Sequence, residues 1–195
     1  MSTNIMIVGV GGQGSLLASK LLGWLMMDQG QDVKVSEVHG MSQRGGNVVT
    51  YVKFGDKVYS PVVDKGEADF IVSFELLEAA RWVEYLKPGG RIIVSTQRID
   101  PMPVLTGQAA YPENLVERMR EKGFAVDAVD GLALAEEAGS PKAVNLVLMG
   151  ILSNYFGISQ EDWKRALEAC VPAKVLEINR KAFALGRASQ KGHEM

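Results

Sequence analysis

Met6-Ile7-Val8-Gly9-Val10-Gly11-Gly12-Gln13-Gly14 (MIVGVGGQG) is the stretch on which the fold turns. An apolar run enters a G-x-G-x-x-G spacing at Gly9, Gly11 and Gly14, and apolar residues at helical steps leave it. Such glycines let a buried strand turn tightly into a helix, whose first N–H groups and positive dipole end then face the loop. The pattern predicts a strand over residues 4–9 and a helix over residues 13–29, ended by Gly30. A second strand follows over residues 32–37. Strand–helix–strand implies a right-handed crossover and parallel pairing.

Outward from there the order changes. Residues 39–46 (HGMSQRGG) are polar and glycine-rich and read as a loop. Residues 47–54 (NVVTYVKF) read as a strand, Gly55-Asp56 as a turn, and residues 57–60 as the strand that pairs back in a hairpin. Parallel order returns with a strand over 68–73, a helix over 75–86 stopped by Lys87-Pro88-Gly89-Gly90, and a strand over 91–96. Residues 98–112 hold three of the seven prolines and read as an irregular connection. A helix over 113–122, a strand over 124–129 and a short helix over 132–138 follow. The rest is helical. Ser140-Pro141 opens an apolar helix over 142–156, Ser159 and Asp162 form a capping signature, and residues 173–188 make the last helix. The expected architecture is a three-layer αβα domain over residues 1–195. Its Rossmann-like sheet is mostly parallel with an inserted hairpin, its C-terminus is helical, and residues 189–195 form a disordered tail.

The bulk numbers exclude several classes of function. With 195 residues and 47% hydrophobic content the chain can bury one sizeable core. A net charge of -2 supplies no global attraction to nucleic acid or an anionic membrane. The single cysteine, Cys170, excludes an internal disulfide and any iron–sulfur or thiolate zinc site built from this chain alone. The start lacks the pattern of a signal peptide, and no apolar run approaches the length of a membrane span, so a cytoplasmic protein is expected.

The glycine loop has two readings. Backbone N–H groups at a helix N-terminus suit a phosphate, and Glu37 at the end of the second strand stands where a ribose-binding acid would. Equally, the glycines serve close strand–helix packing. Against a dinucleotide site stand Gly12-Gln13 inside the loop and a hairpin where another crossover helix should follow Glu37. The second loop is the more specific. In doubly wound sheets the loops at the carboxyl ends of strands face one crevice. There Arg44 offers a planar fork for phosphate or carboxylate, and Gly45 and Gly46 permit the turn. Ser42 and Gln43 are neighbouring polar candidates. Glu37 could bind a ribose, pair with Arg44, or be an ordinary strand-end carboxylate. His39 has the chemistry of a general base but no second catalytic partner in the sequence. Cys170 reads as a small buried apolar residue, and Trp24, Trp82 and Trp163 as core or interface anchors.

GVGGQG followed by SEVHGMSQRGG resembles the gamma-type subunit or domain of the 2-oxoacid:ferredoxin oxidoreductases, most of all its indolepyruvate type. KVYSPVVDKGEADFIVSFELLEAARWVEYLKPGGRIIVST and SPKAVNLVLMGILSNYF extend the resemblance to nearly the whole chain. The resemblance implies a subunit that is inactive alone. The reaction it implies is oxidative decarboxylation of an arylpyruvate with CoA, giving an acyl-CoA, CO₂ and reduced ferredoxin. Thiamine diphosphate, Mg and [4Fe–4S] clusters would lie on a large alpha subunit, and this chain alone would hold no cofactor and no catalytic residue. The composition fits independently, since one cysteine cannot supply four thiolates and no G-D-G type thiamine diphosphate motif is evident. Gly9, Gly11, Gly12, Gln13, Gly14, Ser42, Gln43, Arg44, Gly45 and Gly46 are the candidate site, placed where the subunits join and shaped for CoA or another anionic group. Two alternatives stay open: an NAD(P)-binding oxidoreductase or nucleotide-binding domain, and a purely structural assembly subunit.

Overall fold

The strand that enters the glycine loop, β1 (Ser2–Val10), lies inside the sheet, with Ile5, Met6, Ile7 and Val8 wholly buried. The computed structural model describes residues 2–40 and 46–190. After β1 come α1 (Ser15–Asp28), β2 (Asp32–His39), β3 (Asn47–Gly55), β4 (Ala68–Ser73), α2 (Leu76–Trp82) and β5 (Leu86–Ser95). They are followed by α3 (Met102–Leu105), α4 (Leu115–Glu121), β6 (Ala125–Val129), α5 (Gly131–Ala138), α6 (Val144–Leu152), α7 (Gln160–Cys170) and α8 (Leu176–Ser189). The six strands form one sheet in the order β2-β3-β1-β4-β5-β6. β1, β4, β5 and β6 run parallel, and β3 runs antiparallel between β1 and β2.

This order corrects the expected pairing of the first two strands. β1 and β2 are not neighbours, because β3 inserts between them along its full length, from Ser2↔Gly55 to Val10↔Asn47 on one side and from Asp32↔Gly55 to His39↔Val48 on the other. The hairpin is therefore β2–β3, closed through the glycine-rich loop, and not a pairing of β3 with residues 57–60. Those residues form no strand. Instead the Val58 N–H donates to the Asp32 carboxylate at 2.8 Å, so a side chain satisfies the backbone that a strand would have used.

The expected helix over 75–86 is shorter. α2 ends at Trp82, one 3₁₀ turn covers Val83–Tyr85, and β5 begins at Leu86. Lys87-Pro88-Gly89-Gly90 thus lies inside the strand, where the register jumps from Ala68↔Leu86 to Phe70↔Arg91. Gly89 takes φ +79, and a Cβ on Gly90 would come within 2.9 Å of the Ala68 carbonyl. The two glycines build a bulge rather than a helix stop. The irregular connection expected over 98–112 contains the single turn α3, and the last helix runs one residue past its expected end to Ser189.

Helices cover both faces. α1 and α5–α8 bury one apolar layer, with Leu21, Leu25, Val147 and Trp163 at its heart, and α2 and α4 cover the other, over Met6, Ile71 and Ile92. Every residue of α6 is buried. α6 approaches α8 through glycines: a Cβ on Gly150 would meet the Phe183 carbonyl at 2.1 Å, and one on Gly186 would meet the Val147 carbonyl at 1.9 Å. Close approach of this kind trades side-chain contacts for backbone packing. No helix among the described residues is long and apolar enough to cross a membrane.

Candidate functional site

The loop from β1 to α1 is held by its own glutamine. Gln13 Oε1 accepts the Val10 N–H at 2.7 Å, and Nε2 donates to the Phe74 carbonyl at 3.1 Å, at the carboxyl end of β4. Nε2 also reaches Gln97 Oε1 at 3.4 Å, and Gly9 leaves the amide room: a Cβ there would meet Gln13 Oε1 at 2.7 Å. Gly14 takes φ +90 and lies against Asn145 of α6, whose Nδ2 donates to its carbonyl at 3.2 Å. Three of the five loop residues singled out in the sequence therefore have a direct structural task.

Gly11 and Gly12 face outward in a different way. The Gly11 N–H donates to the Gly46 carbonyl at 2.9 Å, which ties the first glycine loop to the base of the second. Gly12, at φ +101, has nothing within 4 Å of where a Cβ would stand. The N-terminus of α1 carries no side-chain cap and no acidic residue in its first turn. Its leading N–H groups are the ones a helix cannot satisfy internally. Ser42, Gln43, Arg44 and Gly45 lie outside the described residues.

A cleft of about 420 Å³ opens between these elements, lined by Gly11, Gly12, Gly14, Ser15, Leu16, Glu37, His39 and Val48. Glu37 on β2 forms its acidic wall. Glu37 Oε2 accepts the Ser15 hydroxyl at 2.8 Å and the Thr50 hydroxyl at 2.9 Å, bracing α1 against the two strands beyond it. Thr50 is fully buried, so its hydroxyl needs that acceptor. The cleft therefore sets a carboxylate beside the free N–H groups of α1, hydrogen-bonded to the first residue of that helix. That chemistry suits a ligand carrying both an anionic group and hydroxyl or amide donors. His39 borders the cleft, with Nδ1 at 3.0 Å from the Gly40 carbonyl, and no carboxylate or nucleophile partners it among the described residues.

Beside this cleft, at the carboxyl ends of β4 and β5, lies a buried acid the sequence reading passed over. Glu75 is 1% exposed. Its Oε1 accepts the Tyr111 hydroxyl at 2.5 Å and the Ile99 N–H at 3.1 Å, and its Oε2 caps α2 through the Glu78 N–H at 2.9 Å. Burial against this carboxylate pushes the Tyr111 hydroxyl well above the usual phenol range. The sequence places Glu75 at the start of a helix, but neither its capping role nor its burial was legible there. Elsewhere, Cys170 is buried with its thiol near the Lys20 carbonyl, and burial raises its pKa. Trp163 stacks on Phe183 at 5.2 Å in the core. No group of three or more His, Cys, Asp or Glu side chains suited to a metal ion occurs among the described residues.

Known proteins resemble this chain in sequence and in fold along nearly its whole length. Residues 4–189 match the family model described as pyruvate ferredoxin/flavodoxin oxidoreductase. The chain is 44% identical over 193 residues to indolepyruvate oxidoreductase subunit IorB of Thermococcus kodakarensis, covering 96% of each. In structure it is similar to the keto/oxoacid ferredoxin oxidoreductase gamma subunit of Geobacter sulfurreducens, with TM-score 0.69 and 24% identity over 94% of this chain and 95% of that one. It is also similar to the 2-oxoglutarate:ferredoxin oxidoreductase of Magnetococcus marinus, solved with 2-oxoglutarate, coenzyme A and succinyl-CoA bound. There the TM-score is 0.67 at 20% identity, over 99% of this chain and 32% of the other.

Proposed function

This chain belongs to the pyruvate ferredoxin/flavodoxin oxidoreductase family as a gamma-type subunit, and we propose that it serves a 2-oxoacid oxidoreductase specific for indolepyruvate or a related arylpyruvate. In this reading it completes a heteromer whose large partner subunit carries thiamine diphosphate, Mg and [4Fe–4S] clusters. The complex decarboxylates the 2-oxoacid, transfers the acyl group to CoA and passes electrons to ferredoxin. The observation that carries the reading is the near full-length likeness to a subunit named for indolepyruvate oxidoreduction. The single cysteine supports placing the clusters on another chain.

The cleft between the glycine loops is then the part of the shared site that this chain supplies. Gly12 and the first turn of α1 would receive an anionic group of CoA, with Arg44 as its counter-charge. Glu37, bonded to Ser15 in that first turn, would accept from hydroxyl or amide hydrogens of the same ligand, and its own charge there would have to be offset by Arg44 because like charges repel. Gln13, Gly9 and Asn145 brace the loop, and Gly14 both takes that hold and lines the cleft. The cofactors on the partner supply carbanion stabilisation and electron transfer; this chain's residues bind, orient and exclude water.

The test is reconstitution with the cofactor-bearing subunit and assay of ferredoxin reduction against a panel of 2-oxoacids. Indolepyruvate or another arylpyruvate should be turned over with the highest kcat/KM, and turnover should depend on CoA. Preference for pyruvate or 2-oxoglutarate would reject the substrate assignment. Arg44→Ala should raise the KM for CoA with assembly intact; an unchanged KM would remove the cleft from the active site.

A further inference from the structure

From Pro101 to Pro112 (PMPVLTGQAAYP) twelve consecutive residues carry no charge, yet most of them are exposed. Met102 is 67% and Leu105 66% exposed, and α3, to which both belong, has no buried residue. Scattered exposed apolar residues need no account, but Met102 and Leu105 on one helical turn, inside an uncharged exposed segment, do.

The arm is ordered by its own backbone. The Pro101 carbonyl accepts the N–H groups of Val104 and Leu105 at 2.8 and 3.0 Å, and the Pro103 carbonyl accepts those of Gln108 and Ala109 at 2.8 and 3.0 Å. Both ends are fastened to one buried carboxylate, since Glu75 Oε1 receives the Ile99 N–H before the arm and the Tyr111 hydroxyl at its close. The Arg98 guanidinium lies over the Tyr111 ring at 4.3 Å and pairs with Asp100 at the root of the arm, and the exposed Glu113 bounds it on the other side. An exposed apolar segment held rigid in this way loses little entropy when covered, which is the property of a docking element.

Its position names the occupant. The arm leaves the carboxyl end of β5 beside the glycine loop, and Gln97 at its root lies within 3.4 Å of Gln13 Nε2. Leu16 and Val38, 66% and 54% exposed, belong to the first turn of α1 and the carboxyl end of β2. A chain that covers the cleft at this end of the sheet therefore comes beside the root of the arm at Gln97. We propose that residues 101–112 are the docking arm that seats this subunit in an uncharged hollow of its cofactor-bearing partner, an inference that rests on the heteromeric reading above. A second copy of this chain fits poorly. Three other clefts on its surface are edged by cations: Lys164 and Arg180 in one, Arg118 and Lys122 in another, Lys87 and Lys122 in the third. Insertion of the arm into any of them would also be a head-to-tail contact, which need not close.

The test uses the whole complex. Met102→Glu/Leu105→Glu places charges at two exposed positions, and Met27→Glu, 59% exposed at the far end of α1, is the control. The arm variant should keep the wild-type Tm and bind the cofactor-bearing subunit about tenfold more weakly or worse, while the control binds as wild type. Unchanged affinity of the arm variant overturns the docking arm and leaves the heteromer standing. Failure of the wild-type chain to bind that subunit overturns both. A homodimer that the arm variant dissociates in sedimentation, with affinity for the large subunit unchanged, assigns the arm to a second copy and also overturns the proposal.

Discussion

Asn145 donates through Nδ2 to the carbonyl of Gly14 at 3.2 Å, so a helix of the C-terminal half holds the turn that begins the first one. Gly14 is left-handed at φ +90, and a Cβ there would stand 2.5 Å from the same nitrogen. Gly14→Ala is expected to cost about 2 kcal/mol, read as a lower urea midpoint at unchanged slope. Removal of the clashing amide should relieve part of that cost. In a double-mutant cycle with Asn145→Ala the two losses should fall short of additivity by about 1 kcal/mol.

Two glycines within helices should respond with opposite signs. Gly186→Ala would drive a methyl to 1.9 Å from the Val147 carbonyl and separate α8 from α6, at a cost of about 3 kcal/mol or more. Gly23 in α1 has only ordinary contact, with Val35 Cγ2 at 3.6 Å from the built Cβ. Gly23→Ala should therefore gain about 0.5–1 kcal/mol from helix propensity. Thermal denaturation of the pair shows a fall for one and a rise for the other.

Tyr111→Phe removes a donor to Glu75 and an acceptor for the Leu77 N–H, which reaches the phenol oxygen at 3.1 Å. The expected loss is about 1–3 kcal/mol, because a buried carboxylate and a backbone donor each lose a partner. Amide exchange should quicken across residues 99–111 and not in β1. Uniform quickening would mean the hydroxyl has no special hold on the arm.

Glu78 is 3% exposed, and Oε2 is buried without a hydrogen-bond partner among the described residues. Burial raises its pKa, against the attraction of Arg81 at 3.5 Å. A raised folded pKa means the folded state holds the proton more tightly than the unfolded chain. Glu78 thus costs nothing below its unfolded pKa and takes stability away as pH rises through its folded value. Glu78→Gln should be close to neutral in acid and should gain on the wild type as pH rises toward 8, measured as the difference between two urea titration series. A constant difference across pH would show that the carboxyl is not held in this way.

Much of the architecture was legible because periodicity and glycines report backbone directly. Gly30 and the apolar steps of α1 gave that helix, and Ser140, Ser159 and Asp162 marked starts that the structure keeps. The sheet order was less legible. Residues 32–39 and 47–55 are equally good strands in either pairing, and what chooses between them is the long-range contact of β3 with β1. Lys87-Pro88-Gly89-Gly90 has the composition of a helix stop and of a bulge alike. At the cleft, the motif singled out Gln13 as part of the glycine loop but not that its amide bridges Val10 and Phe74, which lie far apart in sequence. Ser15, Thr50 and Glu75 carried no motif. Their roles come from which elements the fold brings beside them.

The central place of β1 sets the order in which this chain can be made. β1 leaves the ribosome before both of its neighbours, β3 and β4, the first complete at Gly55 and the second only at Ser73. Until Gly55 is made, Ile5, Met6, Ile7 and Val8 have no strand to lie against, and until Ser73 one edge of β1 stays open. Domains gather as units during synthesis, and uncovered apolar strands are the part most prone to stray association. The opening glycine stretch thus depends on the following sixty residues for shelter, and slow translation before Ser73 would expose the newborn chain at its most aggregation-prone point.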